Sequence, residues 1–111
     1  MAIRYRVLGQ KAVTANQEWD IYTVNGTKDA VVSCIVVANR DVDNAARYRI
    51  AVRPDNATLT NDMYIAYDVS VDGNSSIALN LGLTMNTDDR LTVRASTSNV
   101  SFSVFGTEID V

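Results

Sequence analysis

Histidine is absent from this 111-residue chain, and cysteine, proline and tryptophan occur once each. Without imidazole, the commonest general base and the Ser-His and Cys-His nucleophile pairs are excluded. A lone Cys34 permits no intramolecular disulfide, and a structural zinc site needs several Cys or His ligands. No run of about 20 apolar residues is present, so no membrane-spanning helix is expected. The opening "MAIRYRVLGQ" lacks a basic region followed by an apolar run, so no secretory signal is expected either. The five glycines, at positions 9, 26, 73, 82 and 106, are scattered singly and form no phosphate-cradling loop. These absences point away from an enzyme and imply no cofactor or metal.

What is present is a capacity for a core. Hydrophobic residues make up 47% of the chain, and a single domain over residues 1–111 should bury roughly two-thirds of its unfolded surface. The formal net charge is -3 and the sequence pI about 4.7. That balance argues against a nucleic-acid binder held by general electrostatics, which needs a basic surface to displace counterions.

Short strands alternate with turn clusters at intervals of roughly a dozen residues, the pattern of an all-β sandwich or barrel. "EWDIYTV" puts Trp19 and Ile21 on one face and ends at Asn25-Gly26, a strong turn signal. "AVVSCIVVAN" is apolar on both faces, with Ala30, Val32, Cys34, Val36 and Ala38 opposite Val31, Ile35 and Val37. Its β-branched residues disfavour a helix, and a strand apolar on both sides is central or covered. "ARYRIAV" directs Tyr48, Ile50 and Val52 inward and Arg47, Arg49 and Arg53 outward, before Pro54 breaks it. "MYIAYDVSV" alternates with Ile65, Tyr67, Val69 and Val71 inward and Tyr64, Ala66, Asp68 and Ser70 outward. "SIALNLGLTM", "RLTVRAS" and "VSFSVFG" each bury one face, including Leu79, Leu83, Leu91, Val93, Val100, Phe102 and Val104. The expected fold is a two-sheet antiparallel β-sandwich of about eight short strands, Ig-like or jelly-roll-like. "DNAARYR" is the one helix candidate and is too short to stand alone.

The polar constellations have plain readings. Asp41-Val42-Asp43-Asn44 begins like a calcium loop, but the positions that want Gly and Glu hold Ala46 and Val52, which leaves a polar turn. Asp88-Asp89 is a second turn pair, and the four Asn-X-Ser/Thr sequons follow from Asn- and Ser-rich turns. Cys34 lies in the most apolar strand and is expected to be inert. The tripeptide Arg-Tyr-Arg occurs twice, at positions 4–6 and 47–49, and accounts for four of the ten basic residues. Alternation makes each tyrosine inward and its arginines outward. Such arginines either pair across strands with acids such as Asp68 or Asp20 or form a protein contact, where Arg and Tyr are over-represented.

The segments "DIYTVNGTKDAVVSCIVVANR", "ARYRIAVRP", "YIAYD" and "LTMNTDDRLTVRASTSNVSFSVFGTEI", taken in order, resemble a group of small structural proteins of tailed bacteriophages, frequent in cyanophages. The likeness covers most of the chain, departing at Asn25-Gly26, where that group has a proline before the turn. It implies a non-enzymatic virion component, made in the host bacterial cytoplasm. Within that class the resemblance favours a capsid decoration (cement) protein bound to the major capsid protein, as a homo-oligomer with a trimer favoured. A tail, baseplate, neck or fibre-attachment protein is the alternative. A carbohydrate-binding sandwich using Trp19, Tyr22 or Tyr64 is a third reading. No nucleic-acid or membrane partner is expected. The candidate interface residues are Arg47, Arg49 and Arg53, with Tyr64 beside them, and Arg4 and Arg6 as possible inter-subunit residues.

Overall fold

A computed structural model describes residues 2–111. Eight strands run through them: β1 (Ile3–Ala12), β2 (Trp19–Thr23), β3 (Lys28–Asn39), β4 (Ala46–Arg53), β5 (Tyr64–Val71), β6 (Ser75–Met85), β7 (Arg90–Ala95) and β8 (Val100–Asp110). Two single 3-10 turns, Pro54–Asn56 and Asn61–Met63, occupy the β4–β5 connection. The segment proposed as a helix leads straight into β4, where Tyr48, Ile50 and Val52 can alternate against a core.

The strands nest as antiparallel pairs, β1 with β8, β2 with β7, β3 with β6 and β4 with β5. Such nesting is one long ribbon rolled up. Two further pairings, β3–β8 and β4–β7, close it into a first sheet ordered β1-β8-β3-β6 and a second ordered β2-β7-β4-β5. This is the jelly-roll order, which decides between the two sandwich types left open by the sequence.

The core lies between the sheets. Phe102, Val100 and Val104 from β8 and Ile35 and Val37 from β3 meet Tyr48 and Ile50 from β4 and Leu91 and Val93 from β7. Each such side chain, fully buried, stabilises the fold by about 1.5–3 kcal/mol. Tyr48 and Phe102 pack edge to face across the interface, centroids 6.3 Å apart, an arrangement that aromatic quadrupoles favour. Gly9 and Gly106 are needed for close approach. A Cβ on Gly9 would stand 2.4 Å from the Ile21 carbonyl oxygen, and one on Gly106 would stand 2.2 Å from that of Val31.

The turns use side chains more than glycine. Among the described residues, backbone φ is positive at Asn16, Asp55, Asn56, Asp68, Asn74 and Asp88 and at no glycine, because Asn and Asp tolerate the left-handed region through local hydrogen bonds. The Asn25-Gly26 turn forms, closed by the Lys28 N–H donating to the Asn25 carbonyl and reinforced by the Asn25 amide oxygen, which accepts from the Thr27 N–H and hydroxyl.

Bulges correct several side-chain directions. Register shifts fall between Val7 and Gly9 in β1, Asp20 and Tyr22 in β2, and Val32 and Cys34 in β3. An extra residue reverses the two-residue alternation beyond it. In β3 the core face therefore runs Ala30, Val32, then Ile35 and Val37, and Cys34, Val36 and Ala38 turn to the outer face. In β5 Asp68 has φ 52°, and Ile65 and Tyr67, expected inside, are 44% and 55% exposed. Tyr5, also expected inside, is 85% exposed. Trp19 pairs with Val93, on the core side, but is 48% exposed because β2 is an edge strand.

Candidate functional site

Five of the ten basic residues converge on the outer face of the second sheet. The alternation of β4 brings out Arg47, Arg49 and Arg53, and that of β7 brings out Arg90 and Arg94 between the buried Leu91, Val93 and Ala95. The register sets Arg49 directly opposite Arg94 and Arg53 directly opposite Arg90. Like charges in that position repel, so the face needs acids.

Two acids supply part of the need. Asp68, turned by its bulge, accepts from Arg49 through both oxygens, at 2.7 Å from Nε and 3.2 Å from Nη2. The Tyr67 ring lies 4.2 Å from the same guanidinium, and Tyr64 meets Tyr67 edge to face with centroids 4.9 Å apart. Hydrogen bonding by Arg49 holds the Asp68 carboxyl below the usual carboxylate range, with the charges of Arg49, Arg47 and Arg94 adding to it against partial desolvation. Asp20 serves the other end. It accepts from Arg53 at 3.1 Å and from the Thr92 hydroxyl at 2.7 Å, and lies 3.7 Å from Arg90. Arg53 also donates to the Ala57 carbonyl and the Asn56 side chain, so it anchors the first 3-10 turn. Arg47 and Arg94 form no ion pair among the described residues. Arg47, Arg49, Asp68 and Arg94, with Asn16, Ala95 and Ser96, line a polar cleft of about 40 Å³. Tyr64, Tyr67 and Asn61 line a shallow open depression nearby.

The first Arg-Tyr-Arg copy is oriented the other way. Arg4 and Arg6 pair with Glu108 and Gly106, on the side of the first sheet that faces the second. Arg6 Nη1 donates to Glu108 at 3.0 Å, and the Tyr22 hydroxyl donates to the other Glu108 oxygen at 2.6 Å. Tyr22 comes from the second sheet, so this buried carboxylate ties the two layers together. Burial first, then the Glu108 hydrogen bond and charge, push the Tyr22 phenol well above its ordinary pKa. Arg4 stays exposed at the rim.

The outer face of the first sheet has a different character. Ile3, Tyr5 and Val7 of β1 stand beside Ile109, Thr107 and Phe105 of β8, followed by Val31, Cys34, Val36 and Ala38 of β3 and Ala78, Asn80 and Thr84 of β6. Asp29 is the charged residue at its end. The register brings no lysine or arginine to this face among the described residues.

Sequence reasoning named Asp68 and Asp20 as acids that could pair with the outward arginines without assigning either, and the structure pairs Asp68 with Arg49 and Asp20 with Arg53. That reasoning missed Arg94, although the same alternation that buried Leu91 and Val93 signals it, and it missed the Tyr22–Glu108–Arg6 clamp, whose members lie far apart in sequence. Trp19 and Tyr64 do not share a face. Trp19 points to the core side with Lys11 4.0 Å from its ring centroid, whereas Tyr64 pairs with Ala51 on the outer side. The Asp41 carboxylate caps its own turn, accepting from the Asp43 and Asn44 N–H groups, and those bonds lower its pKa. Asp89 likewise accepts from the Asp55 and Asn86 N–H groups. No cluster of three potential metal ligands comes together among the described residues.

With this geometry in hand, comparison with known proteins is informative at one level. No family model matches the chain, and no curated protein sequence matches it. Solved structures do. A chain from the T13 infectious bursal disease virus particle superimposes with a TM-score of 0.55 and 12% identity, over 96% of this chain and 30% of the other. The VP2 subviral particle of infectious bursal disease virus gives a TM-score of 0.53 and 13% identity, over 96% and 31%. The likeness is one of fold. This chain spans about a third of the length of those proteins, and its jelly roll corresponds to one portion of each. The capsid structure of Helicobacter pylori bacteriophage KHP30 aligns over 99% of this chain and 100% of the other, at a TM-score of 0.43 and 10% identity, too distant to bear on the fold.

Proposed function

We propose that the chain is a non-enzymatic structural protein of a virus particle. Within that class we assign it as a decoration protein of a tailed-phage head, docking on the major capsid protein as a homo-oligomer, with a trimer favoured. One observation carries this reading. The jelly roll spends its buried polar groups on internal clamps and leaves two continuous, chemically unlike outer faces, one nearly free of charge and one rich in arginine. Such a body is suited to contact on both sides. The ordered sequence segments that resemble phage structural proteins support the same assignment, and the occurrence of the fold in chains from virus particles supports the structural role in a virion.

On this reading the arginine face makes the contact with the shell. Arg47 and Tyr64 are available at its surface, Arg49 is held in place by Asp68, and Arg53 fixes the adjoining turn. Arg4, at the free rim of β1, is positioned to meet a neighbouring subunit, while Arg6 belongs to the internal clamp. The protein would be made in the host cytoplasm and reside in the virion.

Quantitative mass spectrometry of separated heads and tails tests the assignment. A decoration protein is recovered with heads in hundreds of copies per particle. Recovery with tails alone, at low copy number, would reject it in favour of a tail or baseplate accessory.

A further inference from the structure

The arginine face has an unbalanced centre. Where Arg49 opposes Arg94, the fold supplies one carboxylate, Asp68, and that group is committed to Nε and Nη2 of Arg49. Arg47 and Arg94 line the same cleft without an acid of their own. Opposed like charges are destabilising, so the fold retains a repulsive centre that an external anion would relieve. The cleft walls are fixed by backbone bonds. Arg47 N–H donates to the Ser96 hydroxyl oxygen and Ser96 N–H to the Arg47 carbonyl. Asn16, in the left-handed region, donates to the Ala95 carbonyl from the loop above. Groups held this way lose little freedom when a ligand arrives.

We infer that the cleft between Arg47, Arg49 and Arg94 is a binding site for a carboxylate side chain presented by a partner protein. The inference deepens the proposed docking role and rests on it for the identity of the surface. Planar guanidinium forks match the two oxygens of a carboxylate, and a cleft of about 40 Å³ has room for one small polar group. A nucleic-acid backbone is a poorer occupant, because the chain is acidic overall and the cleft is a single spot where a strand needs a basic track. A second copy of this chain has its Asp41, Asp62 and Asp89 carboxylates engaged in their own loops but carries exposed acids at Glu18, Asp43, Asp55, Asp72 and Asp88. The docking role proposed above is what favours another subunit over these. The occupant is an Asp or Glu on a different subunit.

Arginine side-chain NMR with an uncharged-ended triglutamate peptide tests this, against sodium chloride of equal ionic strength and a short oligothymidylate. Saturable shifts at the Nε–H groups of Arg47, Arg49 and Arg94 are expected. Arg94→Gln should weaken them about tenfold, and Arg94→Lys, which keeps charge and loses the fork, should fall between. Arg47→Gln, at an exposed position, provides the same test should Arg94→Gln not fold. Equal shifts with chloride, indifference to these substitutions, or tighter binding of the oligonucleotide would each overturn the site. Sedimentation showing self-association abolished by Arg94→Gln would overturn the choice of a different subunit. Peptide binding intact alongside head attachment unaffected by Arg94→Gln would remove the docking role and leave the cleft standing.

Discussion

Tyr5 and Tyr48 sit at the centre of the same tripeptide, yet Tyr5 is 85% exposed and Tyr48 1%. Their strands differ in place. β4 lies inside the second sheet, between β7 and β5, and its Tyr48 faces Phe102 across the core. β1 is an edge strand held on one side by β8. At its outer end the core-facing position of β8 is occupied by Glu108, which has a carboxylate to satisfy. Arg6 shares that demand with the Tyr22 hydroxyl, each taking one oxygen of Glu108, so the half-exposed Arg6 leans over the carboxylate and Tyr5, between Arg4 and Arg6, turns outward. A local sequence fixes which residues share a face; the neighbouring strand decides which face is buried. The consequence extends to function, because it leaves the second copy's arginines on the outer face and commits Arg6 to the Glu108 clamp.

The comparison is broken most severely at the two tyrosines. Tyr48→Ala should cost about 3–5 kcal/mol, as large-to-small changes at buried aromatic positions do, while Tyr5→Ala should change stability by no more than about 0.5 kcal/mol. Urea denaturation of both variants measures the difference, and equal costs would show that the two copies do not face opposite ways. A smaller effect belongs to the clamp. Tyr22→Phe removes the hydroxyl donated to buried Glu108 and should cost about 1–3 kcal/mol. The Tyr22 phenol titrates above its ordinary value in the folded chain, so its contribution is complete below about pH 10 and is lost as the pH rises further. Alkaline unfolding should therefore be blunted in Tyr22→Phe. The smallest effect concerns Asp68, whose carboxyl is held below its ordinary value chiefly by the Arg49 hydrogen bonds. A lowered folded-state pKa gives stability that is present above about pH 4 and is lost as the pH falls through the folded value. Asp68→Asn should flatten that acid limb in a pH series of thermal melts, and an unchanged limb would mean that Arg49 and Asp68 are not coupled.

Much of the fold is legible in sequence where alternation runs unbroken. β8 buries Val100, Phe102 and Val104 without interruption, and β6 and β7 keep their expected faces. Legibility fails at bulges. In β1, β3 and β5 an inserted residue carries no compositional mark, and it reverses every direction inferred beyond it. Cys34 and Tyr67 are misplaced for that reason, whereas Tyr5 lies before the β1 bulge and is turned out by its place beside Glu108. The arginine face was accessible because it lies on regular stretches of β4 and β7. The Tyr22–Glu108–Arg6 clamp was not, since only the rolled ribbon brings β1, β2 and β8 together.

The assignment of faces is tested most directly by co-sedimentation of the purified chain with heads that lack it. Arg47→Glu with Arg94→Glu is expected to abolish attachment with the melting temperature preserved. Arg6→Glu, which sets an acid against Glu108, is expected to lower the melting temperature while the folded fraction still attaches. Attachment lost in Arg6→Glu and retained in the Arg47→Glu, Arg94→Glu protein would contradict it, and would place the contact on β1 and the first sheet.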